Sequence, residues 1–227
     1  MERRHTVRSN ERVAEAAAEG VAEAPVLRLF RFRPAHPAFD AILREVMLPD
    51  LVSCRGLRAV FAGRQGPDET GERIVASVWE TETAMADAVG LTFDQPRFHP
   101  EHLRDTVARR LEILPIACAV DVPSAGPPAL IRLLVGRAKP GRLDDYVDAV
   151  RSGARSDIES GSGPLALYLA RSGEDEFVTL SAWAAWSTVA EATGSSTRAP
   201  DATRHTHLLE AWTPSHYEAI LIDGVRA

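Results

Sequence analysis

The first apolar segment of the chain predicts a β-strand that is followed by an amphipathic helix. Between Val26 and Arg33, apolar side chains fall on both faces of the extended chain, as in a sheet that is covered on both sides. Between Phe39 and Met47, apolar residues recur at helical spacing and give one buried stripe. Pro49 is expected to kink or end this helix, because proline lacks the backbone N–H that the helix needs.

Three further strands and a second helix are predicted in the first half of the chain. The pattern places the strands at 57–64, 73–79 and 110–120 and the helix at 82–89. Pro115 is expected to break the pairing of the last strand or to mark a bulge. The resulting order, β-α-β-β-α-β, is that of a ferredoxin-like unit.

The second half of the chain repeats this order. Its predicted strands cover 130–137, 165–171, 177–183 and 207–212, with helices at 143–154 and 189–193. The segment Ser77-Val78-Trp79 recurs as Ser181-Ala182-Trp183, 104 positions later. A repeat of this size predicts two copies of one small domain. The residues after Pro214 are expected to pack as a tail.

The predicted fold class is therefore α+β, with two tandem ferredoxin-like domains. Residues 1–24 are rich in alanine, glutamate and arginine and are expected to form a mobile N-terminal extension. The first repeat is placed at 25–120 and the second, with its C-terminal tail, at 130–227. The linker at 121–129 contains three prolines and a glycine, which is typical of a connection between domains.

The third strand of each unit ends in a motif that resembles a known family. A tryptophan closes the strand, and a polar step and a short alanine-rich helix follow it, in Ser77–Glu82 and again in Ser181–Ala185. The motif resembles the antibiotic-biosynthesis-monooxygenase group of dimeric α/β barrels. The resemblance implies that the sheets of two units face each other and form a barrel within this one chain. The chain is then either a monomer with an internal pseudo-twofold axis or a homodimer of tandem chains.

The resemblance also implies a range of activities, although the known catalytic residues are missing. The family includes cofactor-independent oxidation of phenolic or quinonoid polyketides and oxidative degradation of haem, with the ligand in a cleft between the sheet and the helices of a unit. Where the haem-degrading branch has a histidine, this chain has Val89 and Thr193. Where the oxidising branch often has an asparagine, Val75 and Thr179 stand. Haem degradation is therefore not expected, and no cofactor is expected.

The paired serines and tryptophans are the candidate substrate-binding residues. Ser77 shares a strand face with Trp79, and Ser181 shares one with Trp183, because side chains two positions apart point the same way. Indole N–H groups and hydroxyls on such a face would orient a phenol or quinone oxygen. The other interpretation, which is favoured, makes both tryptophans core residues that pack against the helices.

Arginine and histidine side chains are the candidate catalytic residues. Arg28 and Arg132 occupy equivalent positions in apolar strands, where an unpaired charge is costly. Each would bind a substrate anion or, as is favoured, form a salt bridge with the fourth-strand carboxylates Glu112 and Glu210. A cleft-side acid or base is the role proposed for the histidines at 99 and 102, since histidine titrates near neutral pH.

Metal binding is a second interpretation of the histidines. His99 and His102 lie three positions apart, and His205 and His207 lie two apart, but neither spacing is a recognised ligand motif. No metal site is expected.

Composition restricts the partners. The 227-residue chain has a formal net charge of −6, which disfavours nucleic-acid binding. No stretch approaches the roughly 20 apolar residues of a membrane span, so no membrane partner is expected. The two cysteines have no motif spacing, and a cytoplasmic location is the simplest interpretation.

The leading functional hypothesis is a cofactor-independent, monooxygenase-like enzyme that acts on a small aromatic or polyketide-type ligand. The alternative is a non-catalytic module on the same fold that binds a small ligand or another protein.

Overall fold

The computed structural model describes residues 23–66, 71–92, 97–121, 126–195 and 203–220. The extension predicted at 1–24 lies almost entirely outside these residues, as do 122–125 of the predicted linker. Eight strands are described: β1 (Val26–Pro34), β2 (Leu57–Arg64), β3 (Arg73–Trp79), β4 (Thr106–Asp121), β5 (Leu130–Ala138), β6 (Ala166–Arg171), β7 (Glu176–Trp183) and β8 (Leu209–Ala219). The helical segments are α1 (Phe39–Ile42), a π-helical turn (Leu43–Met47), α2 (Leu48–Val52), α3 (Glu82–Val89), α4 (Pro100–Leu103), α5 (Leu143–Glu159) and α6 (Trp186–Thr193). No helix among the described residues is both long and apolar enough to cross a membrane.

The eight strands close into one antiparallel barrel, in the order β1-β3-β2-β8-β5-β7-β6-β4. The first four strands have the order β2-β3-β1-β4, and the last four have the matching order β6-β7-β5-β8. Two pairings join these half-barrels, β4 with β6 and β8 with β2. The predicted α+β fold and the barrel within one chain are thus present.

Several elements of the two halves correspond in length and in place. Strand β5 begins 104 residues after β1, and both strands are nine residues long. Helix α6 begins 104 residues after α3, and both helices are eight residues long. Glycines with positive φ, Gly90 and Gly194, end α3 and α6. The spacing seen in the sequence therefore extends to the boundaries of these elements.

Strand alternation divides the core into an interior layer and two outer layers. Buried residues of both halves fill the barrel interior, among them Leu29, Phe61, Leu133 and Tyr168. On the outer surface, Phe30 and Trp79 pack with the helices of the first half. Leu134 and Phe177 pack with α5 in the second half. Clefts between sheet and helices can form only in these outer layers.

Two prolines lie inside long strands. The prediction that Pro115 interrupts pairing is met in part, because β4 pairs with β1 up to Pro115 and with β6 from Ile116 onward. The proline marks the position at which the strand changes partner. The tail expected after Pro214 is wrong for the described residues, because β8 continues through Pro214 to Ala219 and pairs with β5.

Pro49 does not end the first helix. It lies in the first turn of α2, and the helical backbone runs through it from α1 by way of the π-helical turn. A proline ring crowds the carbonyl four residues earlier, at Glu45, which lies within that turn. The wider π-helical spacing accommodates this conflict without ending the helix.

Candidate functional site

The larger described cavity lies between the outer face of the second half-barrel and its helices. It has a volume of ≈ 80 Å³. Strands β5 and β7 supply Arg132, Thr179, Ser181 and Trp183, helix α5 supplies Tyr146 and Gly153, and the segment before β8 supplies His205. We call this space the C-terminal cavity. It lies where the family resemblance implied a ligand cleft.

Neighbouring strands bring a row of polar side chains to the sheet side of this cavity. Arg132 on β5 lies directly opposite Ser181 on β7 and His216 on β8. Thr179 lies one pleat further along the face of β7. Its buried Oγ1 lies near the Tyr146 hydroxyl, but no hydrogen bond of good geometry satisfies it among the described residues. A ligand oxygen in the cavity would satisfy this buried hydroxyl.

Tyr146 projects from α5 into the same space. Burial raises the pKa of Tyr146 to about 12, and the nearby Arg132 guanidinium partly opposes this effect. The phenol therefore stays protonated and neutral near neutral pH. It can donate a hydrogen bond to an oxygen held beside Arg132.

His205 lies on the helix side of the cavity. Its backbone is left-handed, with φ 59°, and its Nε2 lies 3.4 Å from the position that a Cβ on Gly153 would take. Burial lowers the pKa of His205 below 6.5, with smaller contributions from His207 and Arg204. Burial therefore favours the neutral imidazole, which can accept a proton, although the nearby Asp157 carboxylate partly opposes this effect.

The serine–tryptophan pairs form the same contact in both halves. Trp79 Nε1 donates to Ser77 Oγ, and Trp183 Nε1 donates to Ser181 Oγ, each at 2.8 Å. Each indole N–H is therefore already satisfied by its own serine and does not point to a ligand. Trp79 is completely buried, whereas Trp183 and Ser181 line the C-terminal cavity. The Trp183 indole can still form part of the cavity wall.

A smaller cavity of ≈ 30 Å³ lies at the equivalent place in the first half. Its lining is apolar except for Arg28 and Thr92, and the Arg28 guanidinium lies 5.9 Å from the centre of the Phe30 ring. Burial lowers the pKa of Arg28 to about 10. We call this space the N-terminal cavity. It has fewer polar groups for orienting a ligand than its counterpart.

The favoured salt bridge between Arg28 and Glu112 is wrong. Glu112 lies opposite Leu29 on β1, so its side chain enters the barrel interior, whereas Arg28 points to the outer face. The Glu112 carboxylate instead forms salt bridges with two other arginines. Its Oε2 lies 3.0 Å from Arg31 Nη2, and its Oε1 lies 2.8 Å from Arg110 Nη2. A shift of one residue along the strand reverses the face and explains the error.

The equivalent prediction for Arg132 and Glu210 also fails. Arg132 lies opposite His216 on β8. Glu210 lies at the other end of the β5–β8 ladder, where Arg137 and Ala138 are opposite residues 209–211. Strand residues rise about 3.3 Å each, so the two side chains are too far apart to pair.

His99 and His102 do not line either cavity. Phe98 and Leu103 occupy the cavity-lining positions of this segment. His99 instead faces α2, and its Nε2 lies 2.9 Å from Asp50 Oδ2. In the second half, the cavity-lining position expected for a histidine is occupied by His205.

Sequence reasoning missed three side chains of the C-terminal cavity. In the sequence, Tyr146 falls on the apolar stripe of the helix predicted at 143–154, Thr179 stands out only at the position of the family's asparagine, and His205 only as a candidate metal ligand. A signal for Tyr146 and Thr179 was available, since both are polar groups on faces predicted to be buried. Nothing in the spacing indicated that His205 would reach Gly153 on α5.

Known structures share this fold at low sequence identity. A candidate monooxygenase from Lactobacillus acidophilus NCFM has a TM-score of 0.69 and 11% identity and covers 88% of this chain and 95% of its own. An anthrone oxidase-like protein has a TM-score of 0.55 and 14% identity, with 89% and 98% covered. A ferredoxin-fold protein from Listeria monocytogenes 4b F2365, related to antibiotic biosynthesis monooxygenases, has a TM-score of 0.50 and 8% identity, with 87% and 96% covered. A chlorite dismutase from Candidatus Nitrospira defluvii shares the fold as well.

No protein-family model matches the sequence, and no significant match is found among curated proteins. The structural comparisons confirm the resemblance seen in the sequence at the level of the fold. The chain has the ferredoxin-like barrel fold of monooxygenase-like proteins.

Proposed function

We propose that the chain oxidises a small phenolic compound with dioxygen in the C-terminal cavity, without a resident cofactor. The observation that carries the proposal is the set of groups gathered there. A guanidinium, a half-buried imidazole with a lowered pKa and a buried hydroxyl that lacks a well-formed hydrogen bond line the same space, whose wall also contains the Asp157–Arg204 ion pair. The names of two similar structures, a candidate monooxygenase and an anthrone oxidase-like protein, support the same reaction class.

Each residue has a defined task in this reaction. His205 accepts the proton of the phenol, and Arg132 stabilises the phenolate. The hydroxyls of Tyr146 and Thr179 hold the substrate oxygen by hydrogen bonds. Trp183 and the apolar wall exclude water, which strengthens these electrostatic interactions.

The reaction balances without an external reductant. For 1-naphthol, the phenolate transfers one electron to dioxygen, and the resulting radical pair combines to form a carbon–oxygen bond at the para carbon. Cleavage of the O–O bond and loss of the para hydrogen then release water and leave 1,4-naphthoquinone. The substrate loses four electrons and dioxygen gains four. The proton first taken by His205 leaves with the departing oxygen as water.

Oxygen consumption tests the proposal directly. The purified, colourless protein should consume dioxygen with 1-naphthol or anthrone in equal molar amounts and form the quinone. Replacing Arg132 by Met should lower kcat/KM about 100-fold or more, the cost of losing one group that stabilises an oxyanion. Arg171→Met is the matched control, because Arg171 pairs on the surface with Asp144.

The equivalent change in the other half tests where the reaction occurs. Arg28→Met should leave most of the turnover, because Arg28 lines the N-terminal cavity. Loss of turnover in Arg28→Met, together with normal turnover in Arg132→Met, would contradict the placement of the reaction in the C-terminal cavity.

Binding without catalysis is the second candidate function, and the residue at the position of the family's histidine favours it. The cavity volume of ≈ 80 Å³ restricts either function to a small ligand. Thr193, at the position of the family's histidine, donates its hydroxyl to the Val189 carbonyl at 2.8 Å. A binder should show saturable quenching of tryptophan fluorescence by 1-naphthol, lost in Arg132→Met, without oxygen uptake.

We also infer that the two halves descend from one duplicated unit and that the chain acts as a monomer. The matching strand orders, the spacing of 104 residues between corresponding elements and the paired serine–tryptophan contacts support the duplication. Closure of the barrel within one chain supports the monomer, because the half-barrels already cover each other's interior faces.

A further inference from the structure

Three side chains of types that commonly bind metal ions lie close together just before β4. One ligand atom from each of His99, Glu101 and His102 lies within 4.8 Å of the other two. His99 Nδ1 lies 3.2 Å from Glu101 Oε1, and His102 Nε2 lies 3.9 Å from the same oxygen. None of these side chains lines the C-terminal or the N-terminal cavity, and none takes part in the proposed oxidation.

These separations fit a tetrahedral metal ion. Zinc binds histidine nitrogen and carboxylate oxygen at about 2.0–2.2 Å, so two ligands at the tetrahedral angle lie about 3.4 Å apart. The two measured separations lie within about half an ångström of that value. Small side-chain rotations would complete the set, since Glu101 is largely exposed at 60% of its side-chain surface.

The Asp50 carboxylate on α2 lies where it can accept a hydrogen bond from the second ring nitrogen of His99. Its Oδ2 lies 2.9 Å from His99 Nε2, on the side of the ring opposite Glu101. A hydrogen bond from Nε2–H to this carboxylate leaves the Nδ1 lone pair directed at Glu101 and His102. Metal-ligating histidines commonly donate their second ring N–H to a carboxylate in this way, which fixes the tautomer and the ring orientation.

The backbone at His99 brings the ligands together. His99 has a left-handed conformation, with φ 44°, and accepts hydrogen bonds from the backbone N–H groups of His102 and Leu103. The rings of His99 and His102 stack with their centres 5.5 Å apart. A non-glycine residue in this conformation is uncommon and carries a conformational cost, which is often found at functional sites. The spacing along the sequence did not reveal this convergence because it depends on the turn.

We propose that His99, Glu101 and His102 form a binding site for a divalent transition metal, with Zn²⁺ as the preferred ion. Two imidazoles and one carboxylate suit zinc, and they leave a fourth position for water. Asp50 links the bound ion to α2, so the metal ties the segment before β4 to the first helical layer. The site is distinct from the C-terminal cavity and does not depend on the function proposed for it.

Zinc titration of the full-length protein, without an affinity tag and freed of metal by a chelator, tests the proposal. Calorimetry should show one Zn²⁺ per chain, and Co²⁺ should give a visible absorption band typical of tetrahedral coordination. His102→Gln and His99→Gln should each lower the affinity 100-fold or more. Asp50→Asn should lower it about 10–100-fold, the usual cost of losing a supporting carboxylate.

His207→Gln is the matched control. His207 forms a similar histidine pair with His205 before β8, with ring centres 6.4 Å apart, but it belongs to no ligand cluster among the described residues. The control should bind zinc like the wild type. Far-UV circular dichroism should show that every variant is folded, and Glu101→Gln provides a second, conservative variant if a histidine change unfolds the protein.

Three results would overturn the proposal. Absence of zinc binding would mean that the His99 ring only bridges Asp50 and Glu101 by hydrogen bonds. Binding that is unchanged in His99→Gln and His102→Gln, or weakened equally in His207→Gln, would place the zinc elsewhere on the chain.

Discussion

At the scale of single residues, burial decides which chemistry each polar group can perform. Tyr146 and His205 line the same cavity, and burial acts on them in opposite directions because it always disfavours the charged form. It raises the pKa of Tyr146 to about 12 and lowers the pKa of His205. Both groups are therefore neutral at pH 7, one as a donor and the other as a proton acceptor.

The pH dependence of the proposed oxidation follows from His205. The acid limb of kcat/KM should lie below pH 6.5, because turnover is lost only when pH falls through the lowered pKa and the imidazole takes up a proton. His205→Gln should remove this limb and lower the rate about 10²–10⁴-fold. A pH–rate profile measures the acid limb and the loss of rate, and an NMR titration of the imidazole measures the pKa of His205. His36→Gln serves as the control, since His36 forms an exposed pair with Asp105, and an acid limb above pH 6.5 would contradict the assignment.

The free energy of unfolding should also depend on pH through His205, and it should fall as the pH falls. A histidine with a lowered pKa binds fewer protons in the folded state than in the unfolded state, so its contribution destabilises the fold as pH falls below 6.5. The wild type should therefore lose more stability than His205→Gln between neutral pH and the lowered pKa. Chemical denaturation at a series of pH values measures this difference, and parallel pH profiles would contradict it.

At the scale of elements, close approach between strands and helices fixes the cavity walls. Gly136 on β5 lies opposite Phe177 on β7, and the Phe177 ring packs at 4.5 Å from the ring of Tyr146. A Cβ on Gly136 would lie closer than van der Waals contact to the Phe177 ring and 3.0 Å from the Ala211 carbonyl oxygen. This glycine therefore lets the sheet hold Phe177, and through it Tyr146, in place.

Gly136→Ala should destabilise the protein and disturb the C-terminal cavity. We expect a loss of about 1–3 kcal/mol in the free energy of unfolding, the usual cost of overpacking. Ligand affinity should fall as well, because Phe177 must move toward Tyr146. Gly126→Ala is the control, since no atom lies within 4 Å of the position of its added Cβ. Urea denaturation measures both variants, and equal stabilities would contradict the role of Gly136.

At the scale of the whole molecule, barrel closure makes the two halves one cooperative unit. The interior cluster combines residues from both halves, and neither half-sheet can bury its interior face alone. The pairings of β4 with β6 and of β8 with β2 also satisfy strand edges that separated halves would expose.

A single unfolding transition is therefore expected for both halves. Trp79 is the one tryptophan before residue 130, so the fluorescence of Trp79→Phe reports only the C-terminal half. Its denaturation midpoint should coincide with the midpoint from far-UV circular dichroism, which reports both halves. If the circular-dichroism curve shows two unfolding steps and the fluorescence curve coincides with only one of them, the halves unfold independently.

The sequence by itself determined the order of elements and the face on which most strand residues lie. The strand at Val26–Arg33, the serine–tryptophan faces and the second-half counterparts were all predicted, because strand alternation and helical spacing are local properties of the chain. Pro115 was recognised as a special position, although its role in a change of strand partner was not.

Only the tertiary structure decided which side chains meet. The register of β1 against β4 pairs Glu112 with Arg31 and not with Arg28. The left-handed turn at His205, just before β8, places its ring at the C-terminal cavity. The left-handed turn at His99 gathered its cluster beside Asp50 and away from the N-terminal cavity. These outcomes depend on residues far apart in the sequence, and a displacement of one position changes the face, the partner and the chemistry.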